Sequence, residues 1–580
     1  MIKKDSGYYI AIVGAGPRGL SALESLIIEA AARDLMHDLR ILLFEASHTL
    51  GCSHVYDPSQ IETNWININE RILLLDRRPE IKAGRAIIPG FPSYHDWCGY
   101  EVSEDMDHYP PRAKVGSYLN ARIETLTEVL IQIGILEIFH ERVDRLLLED
   151  NAKLVNLTTQ GGAQYDTHQV LLTIGHQDTK PDPQLSEWIN HVTDHKGLAL
   201  FTAPYPISQY KPLPHIEKKM TIGLRGFGLA MIDIVRGIID QEGGKLTRTD
   251  EATLSYHYEA PVRRELKFVP FSLDGLPLGP KPKNKIIDSW FKPAESELST
   301  FRKIISDPST QAHASDESFL INAICPIVAN IYSKLKLRRD TILSQEELSD
   351  ICRSWLQGDV IEHKLCISKT LSTYATMKSF VKMALGTSPV SLDYCIGQVW
   401  RHCEPLMYDA LSYNACSDDV SEKIIALDER LKRYAFGPPI DSLQQIIALV
   451  DADVINLQLI KDPDITLTDE GWILSKDDIQ CTVAMMINTL VDAPNVSMVN
   501  TPLVSFLLSE NIIEPFAEDL GIETDAHGFL SGADQEQLPI AVLGRMAKGT
   551  LLGVDAILEC FGDRPKEWAR HAVLLADRNA

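Results

Sequence analysis

The chain has 580 residues, of which 45% are hydrophobic and 23% are charged, as in a soluble globular protein of several domains. Its formal net charge of −24 argues against a nucleic-acid partner, although a local basic pocket can still hold a small anion. The ten cysteines are scattered and none forms a C-x-x-C pair, which excludes a disulfide framework, a zinc site and a dithiol redox centre. Neither an apolar run of about 18 residues nor a signal-peptide pattern occurs, so we expect a cytoplasmic protein without a membrane partner.

The first element along the chain is a strand, a glycine-rich turn and a helix. Residues 8–13 are rich in β-forming side chains, and residues 20–32 carry apolar side chains at helical spacing. The turn between them reads G-x-G-x-x-G, the pattern that places a dinucleotide pyrophosphate at a helix N-terminus. We therefore predict cofactor contacts from Gly14, Gly16, Pro17, Arg18 and Gly19.

A second strand, residues 40–44, ends at an acidic residue. The Glu45 carboxylate is placed to accept ribose hydroxyls, and we include Ala46 beside it in the predicted site. An acid at this position suits an unphosphorylated ribose, as in FAD or NAD. The alternative is a tight turn that only packs a helix on a sheet, with Glu45 solvated.

Further along, residues 138–160 alternate like a strand pair, and residues 170–176 predict a buried strand that ends near Gly175. A second strand, glycine turn and helix follow, with the strand at 220–224, Gly226 and Gly228 in the turn, and the helix at 232–239. Met231 stands at the third glycine position. This unit predicts a second nucleotide site, and a turn without a ligand is the alternative.

Residues 260–290 are rich in proline and are predicted to form a loop, which is the most basic stretch of the chain. It offers a site for an anionic substrate or for nucleotide phosphates, or it is a solvated connection between domains. Arg248 is a further candidate for a 2′-phosphate. The cations of the loop are Arg263, Arg264, Lys267, Lys281, Lys283 and Lys285.

The last part of the chain changes character twice. Helical spacing dominates residues 295–435, where His363, His402, Cys366 and Cys403 lack metal-ligand spacing. Residues 440–535 contain short mixed elements. A strand at 538–545 then ends in Gly544 and Arg545, and residues 549–560 predict a helix, so we expect this end to rejoin the first nucleotide unit at the cofactor.

In this order the motifs resemble a bacterial FAD-NAD(P)-binding family, itself distantly similar to flavin-dependent N-hydroxylating monooxygenases. The resemblance spans nearly the whole chain. Its motifs lie at residues 12–19, 64–69, 111–119, 173–176, 226–229, 274–277, 436–439 and 544–545.

The resemblance implies an FAD-binding domain built from both chain ends and a nicotinamide-binding region near residues 200–290. It places Asn67 near the flavin and Val143 near the adenine. The sequence departs from the family pattern at three points. Met231 replaces a small residue, residues 173–175 read Thr-Ile-Gly instead of Ala-Thr-Gly, and Asp274 stands where arginine is common.

We therefore predict an α/β fold with two Rossmann-like dinucleotide-binding units and a large, mostly helical insertion. The expected division is a first FAD-binding part at 1–185, an NAD(P)-binding-like region at 186–294, the helical insertion at 295–435, a mixed connecting region at 436–535, and a return to the FAD-binding domain at 536–580.

The predicted function is that of an FAD-dependent oxidoreductase, a monooxygenase that uses NAD(P)H and acts on a small molecule, with an amine nitrogen as a candidate acceptor. No side-chain catalyst and no metal site are assigned. One alternative is a flavin-dependent dehydrogenase or reductase without oxygen transfer. Another is a non-catalytic flavin- or nucleotide-binding module with a protein partner. The oligomeric state stays open.

Overall fold

The computed structural model describes residues 7–103, 105–149, 154–210, 219–262, 264–339, 342–358, 362–518, 520–532 and 536–579. Arg263 of the predicted basic stretch lies outside these ranges.

The strands are distributed over the chain except for a long central stretch. In the described residues they are β1 (Tyr8–Val13), β2 (Leu39–Phe44), β3 (Ile81–Ala83), β4 (Ala86–Ile88), β5 (Leu136–Phe139), β6 (Val143–Leu148), β7 (Val155–Thr159), β8 (Gln164–Thr167), β9 (Gln169–Leu172), β10 (Ala199–Phe201), β11 (Lys219–Arg225), β12 (Lys245–Asp250), β13 (Ser255–Glu259), β14 (Glu265–Phe271), β15 (Asp464–Thr468), β16 (Gly471–Lys476), β17 (Ile479–Val483), β18 (Met485–Asn488), β19 (Phe529–Ser531) and β20 (Gln537–Val542).

The helices are concentrated in that central stretch. In the described residues they are α1 (Pro17–Ala32), α2 (Tyr94–Cys98), α3 (Arg112–Gln132), α4 (Pro183–Asp194), α5 (Leu229–Gln241), α6 (Lys285–Asp288), α7 (Glu295–Ile305), α8 (Pro308–Ala312), α9 (Ser318–Lys334), α10 (Gln345–Leu356), α11 (Thr373–Ala384), α12 (Leu392–Leu411), α13 (Asp418–Ala435), α14 (Ile440–Asp451), α15 (Pro502–Ser509), α16 (Ile557–Cys560) and α17 (Asp563–Asn579).

The first sheet is built from both ends of the chain, in the order β19-β20-β9-β1-β2-β5. All neighbours are parallel except β19, which pairs antiparallel with β20 at one edge. Ile10 and Ile12 of β1 pack in a cluster with α1 and α17, whereas Ala11 and Val13 pack on the other face with β6 and β7. Because both faces are covered, the central strands are apolar along their length. The predicted strands at both chain ends are confirmed.

The second sheet is parallel throughout, in the order β10-β18-β11-β14. One face packs against α5 and the helices of the central stretch in the largest hydrophobic cluster, which includes Ile222 and Phe268. The other face packs against Trp188 of α4 and Trp472 of the antiparallel sheet β15-β16-β17. The predicted α/β class is confirmed, and the predicted helical character of residues 295–435 is confirmed in helices α7 to α13.

The prediction that residues 260–290 form a loop is wrong in part. Strand β14 occupies Glu265–Phe271 and α6 begins at Lys285. Prolines suggested the loop, but Pro270 lies in a strand that is the edge of its sheet. An edge strand can tolerate a residue without an N–H donor, and the buried side chains of Phe268 and Val269 hold the strand in place.

The predicted helix at residues 549–560 is also wrong for most of its length. A short 3₁₀ turn follows the predicted glycine at 544, helix α16 covers only Ile557–Cys560, and the long terminal helix is α17. Gly549 has a φ of +130°, which a helix does not allow. A Cβ on Gly553 would lie 2.1 Å from Cδ2 of Tyr408, so this segment is shaped by packing against α12.

A buried carboxylate joins α1 to the rest of the first unit. Glu24 binds two arginines, through Oε1 to Arg78 Nη1 at 3.1 Å and through Oε2 to Arg122 Nη2 at 2.7 Å. All three residues are less than 10% exposed. Loss of one partner in such a group leaves buried charge without compensation, which costs far more than the loss of a surface ion pair.

We expect Glu24→Gln to lower the free energy of unfolding by about 3–5 kcal/mol, because two buried guanidinium groups then share no carboxylate. Urea denaturation measures this change. The control is Glu29→Gln in the same helix, which removes a surface pair with Arg33 and should cost less than about 1 kcal/mol. Equal losses in the two variants would contradict the importance of the buried group.

Candidate functional site

Several predicted site residues follow directly after the carboxyl ends of strands in the first sheet. Val13 pairs with both Phe44 and Leu172, and Leu172 pairs with Val542, so the carboxyl ends of β1, β2, β9 and β20 are level. Gly14, Glu45 and Gly544 come within two residues of these ends, and Gly175 comes three residues after β9. Ligands of open parallel sheets bind at this kind of edge.

The first glycine turn is tightly packed. Gly14 has a φ of +98°, and a Cβ on Gly19 would lie only 2.1 Å from the Gly14 carbonyl oxygen. The Thr173 hydroxyl donates to the same oxygen at 2.6 Å, which is a bond that the alanine usual at this position cannot make. Helix α1 begins after Gly16 with Pro17 in its first turn and no side-chain cap, which leaves its N-terminal N–H groups for a ligand.

Glu45 lies against this turn. Its Oε2 accepts a hydrogen bond from the Ala15 N–H at 2.8 Å, and its Oε1 accepts one from Ser47 N–H at 3.0 Å. The neighbouring Ala46 is exposed. Val143 is buried at the start of β6, in the same cluster as Phe44 from the end of β2. The carboxylate is thus held beside the glycine turn.

Arg18 has a side-chain role that the motif does not indicate. Its guanidinium donates to the carbonyls of Val554 at 3.3 Å and Glu559 at 3.2 Å, in the C-terminal segment. A Cβ on Gly544 would lie 2.6 Å from Arg18 Nε, so glycine is needed for this approach. Arg18 therefore ties the C-terminal segment to the first turn and offers a ligand only its backbone N–H.

Arg545 is likewise engaged. One terminal nitrogen forms an ion pair with Asp555, and the other donates to the Asp492 carbonyl at 2.5 Å. His176, which follows Gly175, faces this arginine. Crowding by protein atoms, and then the charge of Arg545, lower the pKa of His176 to about 4, so its imidazole is neutral at pH 7.

Asn67 is part of a junction between distant segments. Its Nδ2 donates to the Phe436 carbonyl at 2.7 Å, and its Oδ1 accepts a hydrogen bond from Lys281 Nζ at 2.9 Å. Lys281 also donates to the Gly437 carbonyl at 2.8 Å. Burial lowers the pKa of Lys281 well below its usual value. Two of the motifs, at 64–69 and 436–439, are thereby brought into contact through a lysine of the predicted basic loop.

The second glycine turn differs from the first in one respect. Gly226 has a φ of +125° and approaches Thr489 so closely that a Cβ would lie 2.4 Å from its Oγ1. Gly228 begins α5 without a side-chain cap. Met231, at the third glycine position, is buried and lines an apolar cavity together with Phe227, Pro277 and Leu443. Helix α5 therefore does not make the close glycine contact that α1 makes.

The basic residues of the second unit are mostly neutralised by acids. Arg248 forms ion pairs with Asp441 and Glu251, and Lys267 pairs with Asp453 at 2.5 Å. Arg264 lies 3.9 Å from Glu242. Asp274, at the position where the resembled pattern commonly has arginine, pairs with Arg433 at 2.5 Å. Arg248 is therefore a poor candidate for a 2′-phosphate.

A charged cleft that the sequence reasoning missed lies along α5, and we call it the α5 cleft. It brings Trp65, Asn67 and Arg112 against Asp233 and Arg236 of α5, with an empty volume of about 290 Å³ that includes open solvent. Asp233 and Arg236 stand three residues apart in a helix that is otherwise almost wholly apolar. That pair of charges was the available signal.

The described residues contain no group of three or more histidine, cysteine or acidic side chains arranged to hold a metal ion. No helix among them has both the length and the apolar character needed to span a bilayer.

Comparison with known proteins adds the following. Residues 11–177 match a protein-family model described as FAD-NAD(P)-binding. A nitrosuccinic acid synthase of Aspergillus oryzae is 27% identical over 275 residues, which cover 46% of this chain and 40% of that protein. This chain therefore spans less than half the length of the curated relative that it matches.

Among solved structures, an ornithine hydroxylase from Pseudomonas aeruginosa aligns with 99% of this chain and 100% of its own, at 12% identity and a TM-score of 0.43. A cyclohexanone monooxygenase variant from Rhodococcus sp. Phi1 bound to NADP+ aligns with 99% of this chain and 87% of its own, at 12% identity and a TM-score of 0.43. The family match at residues 11–177, which contains the first glycine turn and Glu45, confirms the resemblance to FAD-NAD(P)-binding proteins that the sequence motifs indicated.

Proposed function

We propose that the chain is an FAD-dependent oxidoreductase, a monooxygenase that uses NAD(P)H to oxidise a small molecule. The observation that carries this proposal is the edge of the first sheet, where the glycine turn, Glu45 and the C-terminal segment meet. The family description of residues 11–177 supports the same cofactors.

The residues at this edge fit a dinucleotide. A Cβ built on Gly16 would lie 3.3 Å from the Ser53 Cβ and, among the described residues, would meet no other residue within 4 Å. The backbone at Gly16 is therefore open enough to approach a pyrophosphate. The uncapped start of α1 supplies N–H donors and the positive end of the helix dipole. Glu45 supplies acceptors for ribose hydroxyls, and Val143, which we propose lies near the adenine, packs with Phe44 at the end of β2.

The second parallel sheet and the uncapped N-terminus of α5 support a second nucleotide site at Gly226 and Gly228, for NAD(P)H. On this proposal the chain holds two Rossmann-like units, divided as the sequence predicts. Residues 1–185 and 536–580 form the FAD-binding domain, residues 186–294 the nicotinamide-binding region, 295–435 a helical insertion and 436–535 a connecting region.

The first glycine turn and Glu45 would hold FAD, which would supply hydride acceptance from NAD(P)H and oxygen activation. The chain's own residues bind and orient the cofactors and the substrate, and they exclude water. Asn67 and Lys281 fix the junction at which the first unit, the 277–281 segment and residues 436–437 meet. His176 stays neutral at pH 7, so it adds no positive charge to the edge of the first sheet.

An amine nitrogen is the favoured acceptor of the oxygen atom. The curated relative is named for the synthesis of nitrosuccinic acid, a compound with oxidised nitrogen, and it shares 27% identity with this chain. We therefore propose a small nitrogen-containing molecule as the substrate of this chain.

Anaerobic absorption spectra of the protein loaded with FAD test the proposal. We expect visible flavin bands, and we expect NADPH or NADH to bleach them, because both nucleotide sites would then be filled and hydride transfer would follow. Readmission of oxygen with an amine substrate should couple oxygen uptake to product.

The other outcomes of this experiment contradict the proposal or favour a different function. A protein that binds no flavin after FAD is added contradicts every flavoenzyme proposal. Reduction without coupled oxygen use favours a dehydrogenase or reductase. Tight flavin binding that neither nicotinamide reduces favours a non-catalytic nucleotide-binding module.

We expect Gly19→Ala to weaken FAD binding by about tenfold or more, because a Cβ 2.1 Å from the Gly14 carbonyl forces α1 away from the turn. Equilibrium titration with FAD fluorescence measures the dissociation constant. Gly197→Ala is the matched control, since a Cβ there has no neighbour within 4 Å and FAD affinity should not change. Wild-type affinity in Gly19→Ala would argue against FAD at the first turn.

We expect Gly226→Ala to act on the nicotinamide instead. Alanine is strained at a φ of +125° and would meet Thr489, so the second turn should distort. Rapid-mixing reduction of the bound flavin should show an apparent NADPH affinity lowered about tenfold or more, at unchanged FAD affinity. Loss of FAD binding with normal NADPH dependence would reverse the assignment of the two turns.

A further inference from the structure

The α5 cleft contains two positive side chains and one negative one. Asp233 is fully used, because Oδ1 accepts a hydrogen bond from Arg236 Nη2 at 2.5 Å and Oδ2 accepts one from the Tyr205 hydroxyl at 2.8 Å. Arg236 also donates to Ser442 Oγ at 3.2 Å and stacks on Trp65, with 4.3 Å from its central carbon to the ring centroid. Asp233 and Arg236 therefore form a short ion pair, and Asp233 also has a longer ion pair with Arg112 at 4.0 Å.

Arg112 is more weakly paired than Arg236. Its charge is met by Asp233 at 4.0 Å and by the face of Tyr205, whose ring centroid lies 5.7 Å from the central guanidinium carbon. Its Nε donates to the Trp65 carbonyl at 3.3 Å, and its Nη2 lies 4.0 Å from Asp233, beyond hydrogen-bond distance. Among the described residues its two terminal nitrogens have no hydrogen-bond acceptor, yet only 19% of the side chain is exposed. A guanidinium this deeply placed with free donors is suited to a planar anion.

An apolar cavity adjoins the charged part. Both are lined by Ile232 and Pro438, and the apolar part continues along Phe227, Met231, Leu443 and Ile446. Met231, which stands at the third glycine position of the motif, thus borders a cavity between α5 and α14. The two parts together offer an apolar wall and one cationic end.

We propose that the α5 cleft binds a small carboxylic acid with an apolar body, and that Arg112 holds the carboxylate. Arg112 is then a specificity-determining residue for the substrate. That role as substrate site rests on the proposed function, whereas binding of an acid to the cleft can be measured without turnover.

A phosphate of the nicotinamide dinucleotide is the other source of an anion, and the geometry disfavours it. Leu229, Ile232, Asp233 and Arg236 line the cleft, so it starts at the N-terminus of α5 and follows the helix for about 10 Å. Arg112 lies beside Asp233, about 6 Å along the helix from that end. Dinucleotide phosphates bind at the N-terminal end of such a helix. Asp233 would also repel a doubly charged pyrophosphate more strongly than a single carboxylate.

Isothermal titration calorimetry of the FAD-loaded full-length protein tests the proposal with sodium hexanoate, sodium acetate and 1-hexanol. We expect hexanoate to bind about tenfold or more tightly than either of the others, since only hexanoate has both the apolar body and the charge. Arg112→Gln should weaken hexanoate about tenfold or more and leave 1-hexanol unchanged. The hexanoate affinity of Arg112→Lys should lie between those of the wild type and Arg112→Gln, because lysine keeps the charge and loses the paired donors.

The control is Arg302→Gln, which removes the same charge from a surface pair with Asp409 and should leave hexanoate binding unchanged. If circular dichroism shows that Arg112→Gln does not fold, the proposal is tested by hexanoate binding to Arg112→Lys and by the three ligands on the wild-type protein. The proposal is overturned by wild-type protein that binds hexanoate no better than 1-hexanol, or by Arg112→Gln that binds hexanoate like wild type. It is also overturned if Arg112→Gln weakens the binding of NADPH and not that of hexanoate, a result that would assign the arginine to a phosphate. Flavin reduction by NADPH is scored separately, so failure of the proposed function is a distinct result.

Discussion

The contact between the Gly14 carbonyl and Gly19 sets the position of α1 on the first sheet. Only hydrogen fits at Gly19, since a Cβ would lie 2.1 Å from that oxygen. The Thr173 hydroxyl binds the same carbonyl from the end of β9, and Arg18 reaches the carbonyls of the C-terminal segment. The turn, the adjacent strand and the far end of the chain are thus fixed to one another. A ligand at this edge meets a surface that is assembled before it binds, which lowers the entropy that binding must overcome.

The second turn uses the same local chemistry with a different result. Gly226 is held against Thr489 by a close approach, as Gly14 is against Thr173. The third position holds Met231, whose side chain cannot enter the space between a helix and its strand, so it borders a cavity instead. A departure from a motif can therefore reshape the space beside a helix without removing the turn that defines the motif.

Local patterns were enough for much of the fold. The two strand–turn–helix units and the helical stretch depend on spacing within single segments, and these predictions are confirmed. The helix predicted at 549–560 was wrong for most of its length because Gly553 packs on Tyr408, a contact that no local pattern contains. The α5 cleft was missed for the same reason, since Arg112 and Asp233 meet only after folding. For a residue that the sequence motif named, the side-chain partner was still invisible, as the contact between Arg18 and Glu559 illustrates.

The placement of β20 has a consequence for synthesis of the chain. Val542 pairs with Leu172, and β20 lies between β9 and β19 within the first sheet. Until the ribosome has made β20 at Gln537–Val542, far along the chain from β9 at Gln169–Leu172, β9 therefore presents an open edge of unpaired backbone groups. The central helices leave the ribosome before this edge is closed. Completion of the first sheet must then be a late, long-range event, and a truncated chain would expose the strand edge most prone to aggregation.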